Sequence, residues 1–147
     1  KLVNKSQPLI GSMNMFFYDA KHKETLPYFD RFPLSIIVKG APGGFLGLNL
    51  HYLPPVLRAK MLDGLMETVN NKRYDETTKF QITYNLLQAT ARLKFYKPCL
   101  KHYLFSQVKS RLARVEAPEW EIATFLPTAD WSGSSSNKVY KDSRKII

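Results

Sequence analysis

Four side chains in this chain have the chemistry of a nucleophile or a base: His22, His51, His102 and Cys99. Cys99 and His102 stand three residues apart, a spacing that makes neighbours of them on one helix face and sets a thiol beside an imidazole. Neither an orienting third residue nor an oxyanion loop accompanies the pair, so a buried thiol on a helix is the plainer reading. No histidine shows zinc-ligand spacing with another histidine or with Cys99, and no metal or cofactor is called for. A single cysteine also excludes an internal disulfide. Two carboxylate pairs, Asp19 with Asp30 and Glu119 with Glu121, have the residue types that hold a divalent metal in a nuclease. Glu119 and Glu121 would share one face of a strand, where surface charge on an edge accounts for them. The stretch Gly40-Ala41-Pro42-Gly43-Gly44 lacks the following Lys-Ser/Thr of a phosphate loop and reads as a hairpin turn.

The stronger signal is charge. The 147 residues carry 22 Lys+Arg against 12 Asp+Glu, a formal net charge of +10, which points to a polyanionic or acidic partner. The excess is local: residues 72–116 hold ten basic and three acidic side chains. Lys72 and Arg73, then Lys94, Lys97 and Lys101, then Lys109, Arg111 and Arg114 would neutralise phosphates or meet an acidic protein surface. Tyr74, Tyr96 and Tyr103 interleave with these cations and have the faces on which bases stack. No helix-turn-helix, zinc-finger or RNA-recognition signature is present, so contact with double-stranded DNA would be without sequence specificity.

The elements that position these residues read as strands, then helices, then a strand. Met13–Tyr18, Leu34–Lys39 and Phe45–Leu53 are short apolar runs bounded by turn residues, and the second and third suit a hairpin. In the third, Leu46, Leu48 and Leu50 alternate with Phe45, Gly47, Asn49 and His51. Val56–Val69 has a helical stripe through Leu57, Met61, Leu62, Leu65, Met66 and Val69. A second helix follows a cap at Asp75, with Phe80, Tyr84, Leu87 and Ala91 as its stripe. A third begins at Pro98, with Leu100, Leu104, Val108, Leu112 and Val115 on one face. Glu119–Leu126 alternates as a closing strand. The expected class is α+β: a small antiparallel sheet or partial barrel, with three N-terminal strands and one C-terminal strand, and an inserted three-helix segment.

One domain over 13–131 is expected, with an extended arm over 1–12 that lacks the apolar stretch and cleavage site of a secretory signal. Residues 132–147 read as a flexible linker (SGSSSNK at 132–138) and a basic tail ending in Ile146 and Ile147. Leu9, Ile10, Ile146 and Ile147 would dock these ends on neighbours. No run of 18 apolar residues exists to span a membrane.

Five stretches together carry a resemblance: MFFYDAKHKETLPYFDRFPL (15–34), GGFLGLNLHYLPPVLRAKMLD (43–63), FYKPCLKHYL (95–104), EWEIATFLPT (119–128) and VYKDSRKII (139–147). As a set they resemble a small virion protein of T4-like tailed phages, those of cyanobacteria among them, of the DNA end protector or structural type. The resemblance implies a non-enzymatic virion component that is assembled in the host cytoplasm. It would meet other head, neck or tail proteins in a symmetric assembly and contact packaged DNA. The alternative from the residues is a small metal-dependent nuclease acting through Glu119 and Glu121. A pure adaptor without DNA affinity is the third reading.

Overall fold

The computed structural model describes residues 2–3, 10–69 and 94–147. Eight strands are present among the described residues: β1 (Leu2–Val3), β2 (Met13–Met15), β3 (Phe29–Asp30), β4 (Leu34–Ala41), β5 (Gly44–Asn49), β6 (Leu100–Leu104), β7 (Leu112–Val115) and β8 (Trp131–Ser132). Three α-helices accompany them among the described residues: α1 (Pro55–Val69), α2 (Trp120–Phe125) and α3 (Ser136–Ile146). Six strands form one antiparallel sheet in the order β1-β7-β2-β4-β5-β6, and β3 pairs with β8 in a second, two-stranded one. The class is α+β as expected, with an open sheet.

The register explains why both faces of the large sheet are buried. Val115, Met13, Ile36, Leu48 and Leu100 align across five strands as one apolar row. That row packs under the helices, against Met61 and Leu62 of α1, Trp120 and Ala123 of α2, and Val139 of α3. The opposite face presents Ile37, Phe45, Tyr103 and Leu112, covered by Phe16, Tyr18 and Phe29 from the chain's own β2–β3 segment. Phe16 meets Tyr103 at 5.2 Å and Phe45 at 5.8 Å between ring centroids, both edge-to-face, the arrangement the ring quadrupoles favour. Burial on both faces is why Leu34–Val38 is buried throughout and why Ile36–Val38 is a continuous apolar run rather than an alternating one.

The β4–β5 hairpin forms as the sequence predicts, turning at Pro42-Gly43, and α1 starts on Pro55. Gly44 is fixed by space. A Cβ there would stand 1.8 Å from the carbonyl oxygen of Tyr103 on β6. Gly44→Ala is therefore expected to push β6 from β5 and cost about 1–3 kcal/mol, as overpacking does. Thermal melting checks this, and an unchanged midpoint would show that the strands yield without loss.

Three expectations are corrected. The third helix is absent: its stretch forms a 3-10 turn (Lys94–Cys99), β6, a second 3-10 turn (Phe105–Gln107) and β7. The apolar residues 100, 104, 108 and 112 recur every four positions, a spacing that keeps a residue on one face of a helix and, being even, on one face of a strand. The closing strand is instead α2: Trp120, Ala123 and Thr124 are buried at i, i+3 and i+4, with Glu121 and Ile122 exposed between them. The flexible linker and tail expected at the C-terminus contain α3, capped by Ser135, whose hydroxyl accepts from the Lys138 amide. It docks on the domain itself through Val139 and Ser143, while Ile146 and Ile147 stay exposed. The second helix expected after Asp75 lies outside the described residues.

Candidate nucleic-acid interface

The cations singled out by sequence do not share a helix face. Lys97 is exposed on the turn that leads into β6, and Lys101 lies half-buried on β6 at one edge of the sheet. Lys94 opens that same turn. Lys109 and Arg111 are exposed on the connection that crosses from β6 to β7. Arg114 is half-buried on β7, separated from β6 by three strands. Lys72, Arg73 and Tyr74 lie outside the described residues. Strands lie about 4.8 Å apart, so the β6 and β7 cations are roughly 19 Å apart across the sheet. The described cations therefore divide into Lys94, Lys97 and Lys101 on the turn and β6, the exposed Lys109 and Arg111 on the connection, and Arg114 on β7.

The fold adds cations that sequence reasoning passed over. α3 packs on the Lys94–Cys99 turn, so Lys97 and the exposed Lys141, Arg144 and Lys145 lie on elements in contact. Lys138 on the same helix is paired with Asp142 at 3.0 Å. The signal for this face was a run of cations every three or four residues after a serine cap.

The candidate catalytic pairs come apart. Cys99 is buried, and burial pushes its thiol up to about 12, so it stays protonated and unreactive. His102 points the other way, exposed on β6, with Nε2 2.9 Å from the Pro42 carbonyl. Glu119 sits in a 3-10 turn and Glu121 on α2, both exposed, rather than alternating along a strand. Asp19 pairs with Lys23 at the surface and Asp30 with His51 in the interior. Among the described residues no three of His, Cys, Asp and Glu gather as metal ligands would.

Behind the β6 edge lies a buried polar cluster that sequence reasoning missed. Asp30 Oδ2 is 2.6 Å from His51 Nδ1 and accepts from Asn49 Nδ2 at 3.0 Å. Its Oδ1 accepts from the backbone amides of Phe32 and Asp130 at 2.9 and 3.1 Å. Burial alone would raise the Asp30 carboxyl; the bonds from His51, Asn49 and Phe32 overcome it and hold the group below its ordinary value. His51 Nε2 faces the Thr128 hydroxyl at 3.2 Å. Acid, imidazole and hydroxyl thus follow one another as in a hydrolytic triad, yet Asp30 and His51 are 2% and 0% exposed. The cluster fastens the 128–132 segment to β3 and to the end of β5. Arg58 of α1 continues the network, donating to the carbonyls of Leu53, Thr124 and His51 and to the Tyr140 hydroxyl. A legible trace was the pair of polar residues, Asn49 and His51, two apart at the end of an apolar run, although β5 ends at Asn49 and His51 stands in a 3-10 turn (Leu50–Tyr52).

These elements define a small α+β domain with exposed cations on the turn before β6, on the β6–β7 connection and on α3. A family model described as the phage T4 terminal DNA protecting protein matches residues 1–146, and the chain belongs to that family. No curated protein and no solved structure matches it.

Proposed function

We propose that this chain protects terminal DNA in a tailed phage, as a non-enzymatic virion protein that binds duplex ends through phosphate contacts and docks on neighbouring virion proteins. The observation that carries the reading is the family match, which spans residues 1–146. The net charge of +10 supports it, because phosphate contact releases condensed counterions whatever the base sequence. Lys72, Arg73, Lys94, Lys97, Lys101, Lys109, Arg111 and Arg114 are the contacting set, with Lys141, Arg144 and Lys145 beside Lys97 extending it. Docking on other virion proteins is supported by Ile122, Phe125 and Leu126, large apolar side chains that stand exposed on and just after α2.

The test is fluorescence anisotropy with a linear duplex and with a covalently closed one, across a salt series. The linear duplex is expected to bind more tightly, with log K falling by about 0.9 per contacted phosphate for each decade of salt. Changing Lys97, Lys109 and Arg111 together to Ala should reduce that slope by about three. Absence of binding at low salt would overturn the reading and leave an assembly protein whose cations face an acidic partner.

A further inference from the structure

The β2–β3 segment folds back over the β6 edge and leaves a cleft of about 270 Å³. Tyr18, Tyr28, Tyr52 and Lys101 line it, and Lys21 and His22 stand exposed beside it. Lys101 Nζ lies 4.1 Å from the centre of the Tyr52 ring, a cation–π contact at the cleft wall. Burial pushes its ammonium below the ordinary lysine value, opposed by the nearby Cys99. Among the described residues no carboxylate pairs with it. Asp30 reaches the same cleft, but its two oxygens are engaged by His51, Asn49 and the amides of Phe32 and Asp130.

A half-buried cation over an aromatic ring, without an acid beside it, is a site for an incoming anion. The Tyr18 oxygen already accepts from the Leu104 amide at 3.2 Å, so its O–H remains to donate. The volume sits just below the usual range of small-ligand pockets, room for one phosphorylated sugar and not for a duplex. A phosphate that enters must therefore come at the end of a chain.

We propose that this cleft seats the terminal 5′-phosphate of a DNA end, with Lys101 as its charge partner, the Tyr18 hydroxyl as a donor and Tyr28 as the wall beside the last sugar. The assignment rests on the end-protecting role. Three short duplexes of one sequence separate the two: one with 5′-phosphates, one with 5′-hydroxyls, and one closed by a hairpin loop at both ends. The native protein is expected to bind the phosphorylated ends about tenfold more tightly than the hydroxyl ends, the size of one charge-assisted contact. Lys101→Met should bind phosphorylated and hydroxyl ends alike, at or below the native level for hydroxyl ends, while Lys101→Arg keeps most of the difference. If native protein binds phosphorylated and hydroxyl ends alike, and both better than the closed duplex, the cleft assignment fails and end protection stands. Equal binding to all three overturns both. A Lys101→Met variant that keeps the tenfold preference also overturns the assignment. The native comparison needs no variant, so a folding defect cannot mask the answer.

Discussion

Arg58→Met is expected to destabilise the protein by about 4 kcal/mol, since two to three buried acceptors lose a donor worth about 1–3 kcal/mol each. Arg58 is only 4% exposed, on the buried face of α1 beside Met61 and Leu62. Its Nε donates to Leu53 O at 2.7 Å, one terminal nitrogen to Thr124 O at 2.9 Å, and the other to the Tyr140 hydroxyl at 2.8 Å and His51 O at 3.4 Å. One side chain thus ties α1 to the end of the hairpin, to α2 and to α3. Burial pushes its guanidinium below the ordinary arginine value, with Tyr140, Cys99 and Asp30 opposing. Methionine fills much of the same volume, so the cost comes from orphaned acceptors rather than a cavity. Lysine should recover little, because a point charge on a flexible stem cannot reach acceptors on three elements at once. At roughly 2–4 °C per kcal/mol for a chain of this size, the melting midpoint should fall by about 10 °C. A drop under about 2 °C would show that the bridging is incidental.

The sequence disclosed those parts of the fold in which a single period operates. Leu46 and Leu48 alternate at period two in β5, and Leu57, Met61 and Leu62 recur at helical spacing in α1; α1 formed where expected, while the strand expected over Phe45–Leu53 stops at Asn49 and gives way to a 3-10 turn over Leu50–Tyr52. It misled where a spacing suits two periods, as with Leu100, Leu104, Val108 and Leu112. It misled again where local composition outweighs tertiary context, as with the serines before α3. The placement of the cations depended on that third helix, and dispersed with it between β6, the β6–β7 connection and β7. The buried network was illegible for a different reason. Asp30, His51, Arg58 and Thr128 are joined by long-range pairing, of β3 with β8 and of α1 with α2, and no local period encodes such contacts. An arginine inside an apolar helical stripe and the polar pair Asn49 and His51 were the local oddities available.

Asp30→Asn is expected to remove much of the protein's acid sensitivity and to cost about 3 kcal/mol near neutral pH, as loss of hydrogen bonds to a buried charged acceptor does. Asn cannot reproduce the carboxylate's set of bonds. His51 Nδ1, Asn49 Nδ2 and the amides of Phe32 and Asp130 meet the two Asp30 oxygens, whereas an amide offers one oxygen and turns a donor toward donors. The sign of the pH effect follows from the direction of the shift. Asp30 in the folded protein is held below its ordinary value, so its folded form binds the proton later than its unfolded form does. The stabilisation it contributes is complete above the unfolded carboxyl value of about 3.9 and is lost as pH falls from there through the folded value. Urea midpoints measured from neutral pH down to about pH 2 should therefore fall steeply below about pH 4 in the native protein, and less steeply in the variant. Parallel acid limbs would mean that Asp30 is not the titrating group. Because Asp30 also accepts from the Asp130 amide beside β8, its protonation should loosen the 128–132 segment before the sheet opens. Amide exchange at Asp130 and Arg31, whose N–H donates to the Asp130 carbonyl at 2.7 Å, would then rise at a higher pH than exchange in β4 and β5.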